Sequence, residues 1–169
     1  MSSEDSMSRE ELWVLLVDDD PMQLVMLKPI LEDLDNRLHI DTLSDPIRAV
    51  QRIRNFDYDC VVSEYIVGGR HEMNIFKAVK NIKPIPTILY TTKEYNEVQR
   101  MAELSDVNGY IQKIKDPKNY PLLIKFIRET VKKYRVKNPN RKYRNDPMTT
   151  WQAKKHRFIG TTRDVVYGS

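Results

Sequence analysis

The segment Leu12–Val17 (LWVLLV) is followed at once by Asp18–Pro21 (DDDP), and the two together indicate the fold. Six consecutive apolar residues are typical of a strand that is buried on both faces, as the strands of parallel sheets are. The aspartates end this strand, and Pro21 suits the first turn of a helix, where its missing N–H group costs nothing. Leucines and isoleucines then recur at helical spacing as far as Leu34. The segment therefore predicts one strand–helix unit of an α/β protein.

The same alternation of short apolar runs and amphipathic stretches continues along the chain. Four more strands are predicted, at His39–Leu43, Asp59–Ser63, Thr87–Thr91 and Gly109–Gln112. Further helices are predicted after Ser44 as far as Arg54, near Met73–Asn81, at Lys93–Leu104 and at Tyr120–Tyr134. Five such units predict an α/β fold with a flavodoxin-like, doubly wound, five-stranded parallel sheet of order 2-1-3-4-5 and a C-terminal extension. A sheet of this kind binds its ligands at the carboxyl ends of its strands.

Charge divides the chain into two parts. From Lys132 onward, eleven basic residues outnumber two acidic ones, although the whole chain carries a net charge of only +4. An acidic body therefore precedes a basic tail, and the two parts are expected to have different roles. We predict a disordered N-terminus at residues 1–10, one domain at 11–135 and a basic C-terminal tail at 136–169.

The composition excludes several classes of protein. No apolar run approaches the length of about 18 residues that a membrane span needs, so we expect no membrane contact. The N-terminus lacks the basic and apolar regions of a signal peptide. The single cysteine, Cys60, excludes an internal disulfide and a cysteine-based metal cluster, and its apolar neighbours predict a buried core residue. Together these features predict a cytoplasmic protein.

Polar side chains follow four of the predicted strands, at the points where those strands end. They are Asp18 and Asp19, Glu64, Thr91 and Lys113. Because the carboxyl ends of parallel strands meet at one edge of the sheet, we expect these side chains to form one pocket. Clustered carboxylates repel each other and need a cation or a raised pKa to coexist. Two cations remain open at this point, a bound Mg²⁺, which prefers oxygen ligands, and the ammonium of Lys113.

Four segments, taken in order, resemble response regulator receiver domains of the CheY-like type. They are Leu15–Pro21, Asp59–Tyr65, Pro86–Thr91 and Gly109–Lys113. The resemblance covers residues 11–135, and the sequences around Cys60 and in Tyr110–Arg135 are most similar to those of archaeal receivers. It implies a single-domain regulator in two-component signal transduction or a phosphorelay, whose partner is a sensor histidine kinase or another response regulator.

The resemblance also implies where a metal would bind. Asp18 and Asp19 would be the acidic pair that holds Mg²⁺, and the backbone carbonyl of Ile66 would be a further protein ligand. Glu64 would contribute beside them, at the position where family members carry the phosphorylated aspartate.

The same resemblance implies three switch residues. Thr91 would supply the hydroxyl that binds the phosphoryl group, and Lys113 would be the cation that neutralises it. Tyr110 would be the aromatic residue whose inward or outward rotamer reports the state. The surface around Tyr110 and the last helix is then the expected face for contact with partner proteins.

The chain departs from the family pattern at the acceptor position and in the loop that follows it. Glu64 is one methylene longer than aspartate, and a misplacement of roughly one C–C bond can slow a reaction about 100-fold. Its carboxylate could instead point toward Thr91 and Lys113 and imitate part of the phosphoryl charge, offering −1 in place of about −1.5 to −2. The loop Ile66–Glu72 lacks the proline of the usual family turn and adds positive charge near the pocket.

Three functions follow from these observations. In the first, the domain is a phosphorylation-independent or phosphomimetic switch, a pseudo-receiver that a Glu64–Lys113 contact holds near its active conformation. In the second, Glu64 is a neutral substitution in a protein that still responds to phosphorylation or to binding. Neither of these is an enzyme. The third, a flavodoxin-like electron carrier, is disfavoured because the carboxylates of residues 18–20 would repel the phosphate of a flavin.

The tail interleaves basic and aromatic residues. Its candidate contacts with nucleic acid are Arg141, Lys142, Arg144, Lys154, Lys155 and Arg157. Such side chains can bind phosphates, so an alternative function is a transcription regulator that contacts DNA through the tail and uses the receiver as a dimerisation scaffold. Apolar residues such as Trp151 and Phe158 open another alternative, in which Met148–Gly168 packs on its own acidic body or on a second copy in a homodimer.

Overall fold

Ten strands and helices alternate along the described residues of the chain, which are 10–65, 75–101 and 106–139 of a computed structural model. Of Arg100 and Met101 only the backbone is described. The strands are β1 (Leu12–Val17), β2 (Leu38–Leu43), β3 (Cys60–Ser63), β4 (Thr87–Thr91) and β5 (Gly109–Gln112). The helices are α1 (Pro21–Leu34), α2 (Pro46–Asn55), α3 (Ile75–Ile82), α4 (Tyr95–Met101) and α5 (Asn119–Lys137).

All five strands are parallel and form one sheet with the order β2-β1-β3-β4-β5. The last residue of β1, Val17, lies opposite Leu43 of β2 and Ser63 of β3. At the other side of the sheet, Thr91 of β4 lies opposite Gln112 of β5. This order confirms the flavodoxin-like, doubly wound fold expected from the sequence. The carboxyl ends of all five strands therefore meet at one edge, where sheets of this kind bind ligands.

Helices cover both faces of the sheet. Leu12 and Leu16 of β1 face a core that α1 and α5 close, whereas Trp13 and Leu15 face a core that α2, α3 and α4 close. Every residue of β1 is at most 4% exposed, as the continuous apolar run predicted. Within the described residues, no helix is both long and apolar enough to cross a membrane.

The first two helices begin at the aspartate–proline pairs that the sequence marks. Asp20 caps α1, because its Oδ1 accepts the N–H of Met22 at 3.0 Å and that of Gln23 at 3.4 Å. Asp45 caps α2 in the same way, with its Oδ1 2.8 Å from the N–H of Ile47. In both helices a proline occupies the first turn, where no N–H donor is needed.

Two arginines fasten α5 to the amino edge of the sheet. Arg128 donates from Nε to Asp35, the residue that ends α1, at 2.8 Å. Arg135 pairs with Asp59 at 3.1 Å and also with Glu10, just ahead of β1. Because these carboxylates belong to three separate segments, the three ion pairs fix the position of α5 relative to α1, β1 and β3.

Some element boundaries differ from the predictions for local reasons. β3 begins at Cys60, one residue later than predicted, and the carboxylate of Asp59 accepts the N–H of Trp13 at 2.8 Å in place of a backbone carbonyl. α4 begins at Tyr95, two residues later than predicted, because the N–H and the carbonyl of Lys93 bond to side chains of the neighbouring strands β4 and β5. α5 continues three residues beyond its predicted end.

We predict that Gly109→Ala destabilises the domain by about 1–3 kcal/mol, because β5 and α5 are closely packed at this point. A Cβ atom at Gly109 would lie 2.8 and 2.9 Å from two ring carbons of Phe126 and 3.3 Å from the hydroxyl of Thr130. The cost is measured as the change in the free energy of unfolding in urea. In a Phe126→Leu background, where the ring is gone, the same substitution should cost clearly less. An equal cost in both backgrounds would contradict this account of the packing.

Candidate functional site

Three of the predicted site residues follow directly on the last residue of a strand, and backbone hydrogen bonds fix them there. The N–H of Asp18 donates to the final carbonyl of β2 at 3.2 Å, and the N–H of Glu64 donates to that of β1 at 3.0 Å. The N–H of Lys113 donates to the final carbonyl of β4 at 2.7 Å. Each strand pairing thus continues for one residue past the strand, which places the three side chains at the same edge of the sheet.

The ammonium of Lys113 joins the carboxylates of the other two residues. Its Nζ lies 3.0 Å from Oε2 of Glu64, and it forms a hydrogen-bonded ion pair with Oδ2 of Asp18. The three side chains are only 10%, 16% and 5% exposed, in the order Lys113, Glu64, Asp18. The predicted convergence of Asp18, Glu64 and Lys113 is therefore present.

The charge of Lys113 is stabilised by its two partners. Burial by itself disfavours the ammonium, but the hydrogen bonds and negative charges of Asp18 and Glu64 outweigh it and raise the pKa of Lys113. A cation whose pKa is higher in the folded state stabilises the fold at pH values below its ordinary pKa of 10.5. This contribution is lost only when the pH rises through the higher folded value, so it is fully present at neutral pH.

Both carboxylates are also held by backbone donors. Oε1 of Glu64 accepts the N–H of Tyr65 at 3.0 Å, while its Oε2 faces Lys113. Oδ1 of Asp18 accepts the N–H of Asp20 at 3.0 Å, while its Oδ2 faces Lys113. Since Asp20 also caps α1, the pocket and the start of α1 are parts of one hydrogen-bonded structure.

Asp19 adds a third carboxylate, and the pocket then carries more negative charge than one ammonium can neutralise. Asp19 is exposed, and partial desolvation together with the charges of Asp18 and Glu64 raises its pKa above the ordinary value. An excess of carboxylate oxygens suits a hard divalent cation such as Mg²⁺, which Asp18 and Asp19 could hold. No group of three His, Cys, Asp or Glu side chains within the described residues is arranged to hold a metal alone. Water or backbone oxygens would have to complete the coordination.

The predicted switch residues Thr91 and Tyr110 are linked through one peptide segment. Thr91 is only 1% exposed, and its hydroxyl accepts the N–H of Lys93 at 3.3 Å. The hydroxyl of Tyr110 donates to the carbonyl of the same residue at 2.6 Å. Tyr110 is half-buried against the core on the α4 side, so its ring has the inward position. Burial, followed by the charge of Glu94, raises the pKa of its phenol, which therefore stays a hydrogen-bond donor at neutral pH.

The carboxylate of Glu64 and the hydroxyl of Thr91 have different hydrogen-bond partners in the structure. The sequence predicted that the carboxylate of Glu64 could point toward both Thr91 and Lys113. Its two oxygens instead bond to Lys113 and to a backbone N–H, and the Thr91 hydroxyl bonds to Lys93. One half of that expectation, the contact with Lys113, is therefore met.

Two residues of the site were not predicted. The ring of Tyr90 lies under Lys113, with the ammonium 5.2 Å from the ring centroid, within the range of a cation–π interaction. Lys93 contributes through its backbone, which bridges Thr91 and Tyr110. An aromatic residue beside the last residue of a strand could have suggested the first contact, but no side-chain pattern signals the second.

Several predicted site residues lie outside the described residues. Ile66, whose carbonyl was expected to bind a metal, falls in the undescribed range 66–74. All the predicted tail contacts lie beyond Pro139, namely Arg141, Lys142, Arg144, Lys154, Lys155 and Arg157. The third metal ligand and the DNA contact therefore stay predictions.

We predict that Asp19→Asn makes the metal-free protein more stable at pH 7. Because the pKa of Asp19 is raised in the folded state, ionisation of this group lowers stability as the pH rises above its ordinary value of 3.8. The stability difference from wild type, measured by urea unfolding in EDTA, should vanish below that pH and should shrink at pH 7 when Mg²⁺ is added. Asp33→Asn, at an exposed position of α1 away from the pocket, is the control. If the variant is no more stable than wild type at pH 7, the negative charge of Asp19 does not destabilise the metal-free pocket.

Solved structures of several proteins are similar in fold. A two-component response regulator from Clostridium difficile has a TM-score of 0.57 and 21% identity, over 69% of this chain and 94% of that one. The chemotaxis response regulator CheY4 of Vibrio cholerae has a TM-score of 0.56 and 20% identity, over 69% and 98%. The response regulator domain of Thermotoga maritima CheB has a TM-score of 0.62 and 18% identity, over 72% and 96%.

The family model described as the response regulator receiver domain matches residues 14–125, which is more than half of the chain. A search of curated protein sequences gives no match. The matched residues contain all five strands except the first two residues of β1, and they include the carboxylate–ammonium pocket and the three predicted switch residues. The chain therefore belongs to the response regulator receiver domain family, whose members act in two-component signalling.

Proposed function

We propose that this receiver domain is a protein-interaction switch in which the Glu64–Lys113 ion pair replaces a phosphoryl group. The observation that carries the proposal is the distance of 3.0 Å between Oε2 of Glu64 and Nζ of Lys113, in a pocket where both side chains are largely buried. Receiver domains interact with histidine kinases and with other response regulators. We expect this domain to meet the same kinds of partner in the cytoplasm, and to be a regulator without enzymatic turnover.

The length of the glutamate side chain supports this function. A carboxylate at Glu64 reaches Lys113 from the end of β3, across the strand that separates β3 from β5. It offers a charge of −1, where a phosphoryl group would carry about −1.5 to −2. Its other oxygen is occupied by the N–H of Tyr65. An acceptor carboxylate must approach its donor in line and at near-attack distance, and a carboxylate held at both oxygens is poorly placed for that.

Hydrogen bonds between Lys113, Thr91, Lys93 and Tyr110 offer a route by which a change in the pocket would alter the surface. Lys113 continues the pairing of β5 with β4, because its backbone N–H donates to the backbone carbonyl of Thr91. Tyr110 lies in the same strand, and its inward position is held by the carbonyl of Lys93, whose N–H is bonded to Thr91. A change in the position of Lys113 or Thr91 would therefore alter the support of Tyr110. We infer that the surface around Tyr110 and α5 contacts partner proteins.

A bound Mg²⁺ is compatible with the switch. Receiver domains commonly bind Mg²⁺ at the phosphorylation site, and Asp18 and Asp19 offer carboxylates in the matching place after β1. Bound there, the cation would supply positive charge that offsets the repulsion among the carboxylates. The raised pKa of Asp19, caused first by desolvation and then by its acidic neighbours, supports the need for such a charge.

The test is intact mass measurement after incubation of the full chain with a small-molecule phosphodonor and Mg²⁺. Wild type should gain no phosphoryl mass, whereas Glu64→Asp should be labelled, at a rate faster by about 100-fold or more, because the shorter side chain restores acceptor geometry. Glu64→Gln, which has the size of glutamate but no charge, is the control and should remain unlabelled.

Labelling of wild type at Glu64 would overturn the proposal and would show a receiver that still responds to phosphorylation. Absence of labelling in Glu64→Asp would overturn it in another way. The pocket would then be incompetent for a reason other than Glu64, and the domain would act as a scaffold.

A further inference from the structure

Helix α1 carries an exposed apolar surface, the α1 stripe, formed by Met22, Val25, Met26 and Pro29. Intervals of three and four residues put these side chains on one side of the helix, within about 100° of arc. Met22 is 75% exposed, Val25 70% and Met26 42%, and Pro29 is exposed as well. The opposite side of α1 fills the core. A contiguous exposed apolar patch is typical of an interaction site.

The stripe also contains a backbone acceptor. Pro29 has no N–H, so the carbonyl of Val25 lacks the donor that the next turn of a helix normally supplies. An occupant that combines apolar groups with N–H donors would satisfy both features.

The C-terminal segment of the same chain can reach the stripe. α5 lies beside α1, and its Arg128 bonds to Asp35 at the end of α1. The described chain ends at Pro139, and Trp151 is the twelfth residue after that proline. Twelve extended residues span about 40 Å, whereas the 14 residues of α1 span about 21 Å. The tether therefore allows Trp151 to reach any position along the stripe.

The composition of this segment is complementary to α1. Exposed acidic residues flank the stripe, Asp19 and Asp20 before it and Asp33 after it. Residues 140–169 contain seven basic residues against two acidic ones. They also contain apolar side chains that would match the stripe, namely Trp151, Phe158, Ile159, Val165, Val166 and Tyr167. Apolar burial and opposite charge would thus favour the same contact.

We propose that the segment Met148–Tyr167 binds to the α1 stripe of its own chain. The N–H of Met22 donates to Asp20, whose own N–H donates to Asp18, so the stripe begins within one turn of the carboxylate pocket. A bound segment borders the mouth of that pocket, and a partner protein has to displace it before it can contact α1. This inference does not depend on the chemistry of Glu64, so the failure of either proposal leaves the other standing.

Cysteine cross-linking in the full chain tests the contact. Cys60 gives little background, because it is 0% exposed and burial raises the pKa of its thiol. The test variant combines Val25→Cys with Phe158→Cys and is treated with a short bismaleimide. The matched control combines Gln51→Cys with Phe158→Cys, since Gln51 is exposed on α2, at the opposite face of the sheet. Intact mass and gel mobility then give the yields of cross-linked monomer and dimer.

Cross-linked monomer should form at least about 10-fold faster in the Val25 pair than in the Gln51 pair, because binding raises the local concentration of the second thiol. Introducing Met26→Asp into the Val25 pair should reduce the rate to that of the control. Equal rates in the two pairs would overturn the proposal. Cross-linking of Val25 mainly into dimers, at a rate that falls on dilution, would also overturn it and would assign the stripe to a second copy.

Discussion

The ammonium of Lys113 is the group on which the carboxyl edge of the sheet depends. It extends from the end of β5, passes over the ring of Tyr90 in β4, and reaches carboxylates at the ends of β3 and β1. Without that charge, Asp18 and Glu64 would be largely buried acidic groups without their ion-pair partner among the described residues, which is strongly unfavourable. The same interaction joins three strand ends, fixes Glu64, and connects the pocket through Asp18 and Asp20 to the start of α1. Under the proposed function, structure and signalling in this domain would use the same ion pairs.

Much of the fold could be predicted because its signals are local. The apolar run of β1 predicts a strand that is buried on both faces, and the aspartate–proline pairs at Asp20 and Asp45 predict helix starts that backbone hydrogen bonds bear out. Once the strands are parallel and ordered, the residue after each strand must lie at one edge. That rule alone brings Asp18, Glu64 and Lys113 together. The convergence of these three side chains could therefore be predicted from the sequence.

The finer contacts of the site could not be predicted, because they depend on loop geometry and packing. Nothing in the sequence indicates that the backbone of Lys93 bridges Thr91 and Tyr110, since a peptide group carries no residue-specific signal. Because of the same two hydrogen bonds, α4 begins two residues later than the sequence predicts. The late start of β3 depends on the side chain of Asp59, which accepts a hydrogen bond from the backbone N–H of Trp13 in the neighbouring strand β1. Periodicity describes which face a residue occupies, and it does not choose among the hydrogen-bond partners on that face.

We expect Glu64 and Lys113 to stabilise each other in the folded domain, and a double-mutant cycle measures this mutual stabilisation. Urea unfolding of wild type, Glu64→Gln, Lys113→Met and the double variant, all in EDTA, gives the coupling free energy between the two side chains. We expect about 1–3 kcal/mol. The exposed pair Lys93–Glu97, with side chains that are 34% and 53% exposed, serves as the reference and should give about 0.3–0.5 kcal/mol. A coupling at Glu64–Lys113 no larger than that of the reference pair would contradict the account.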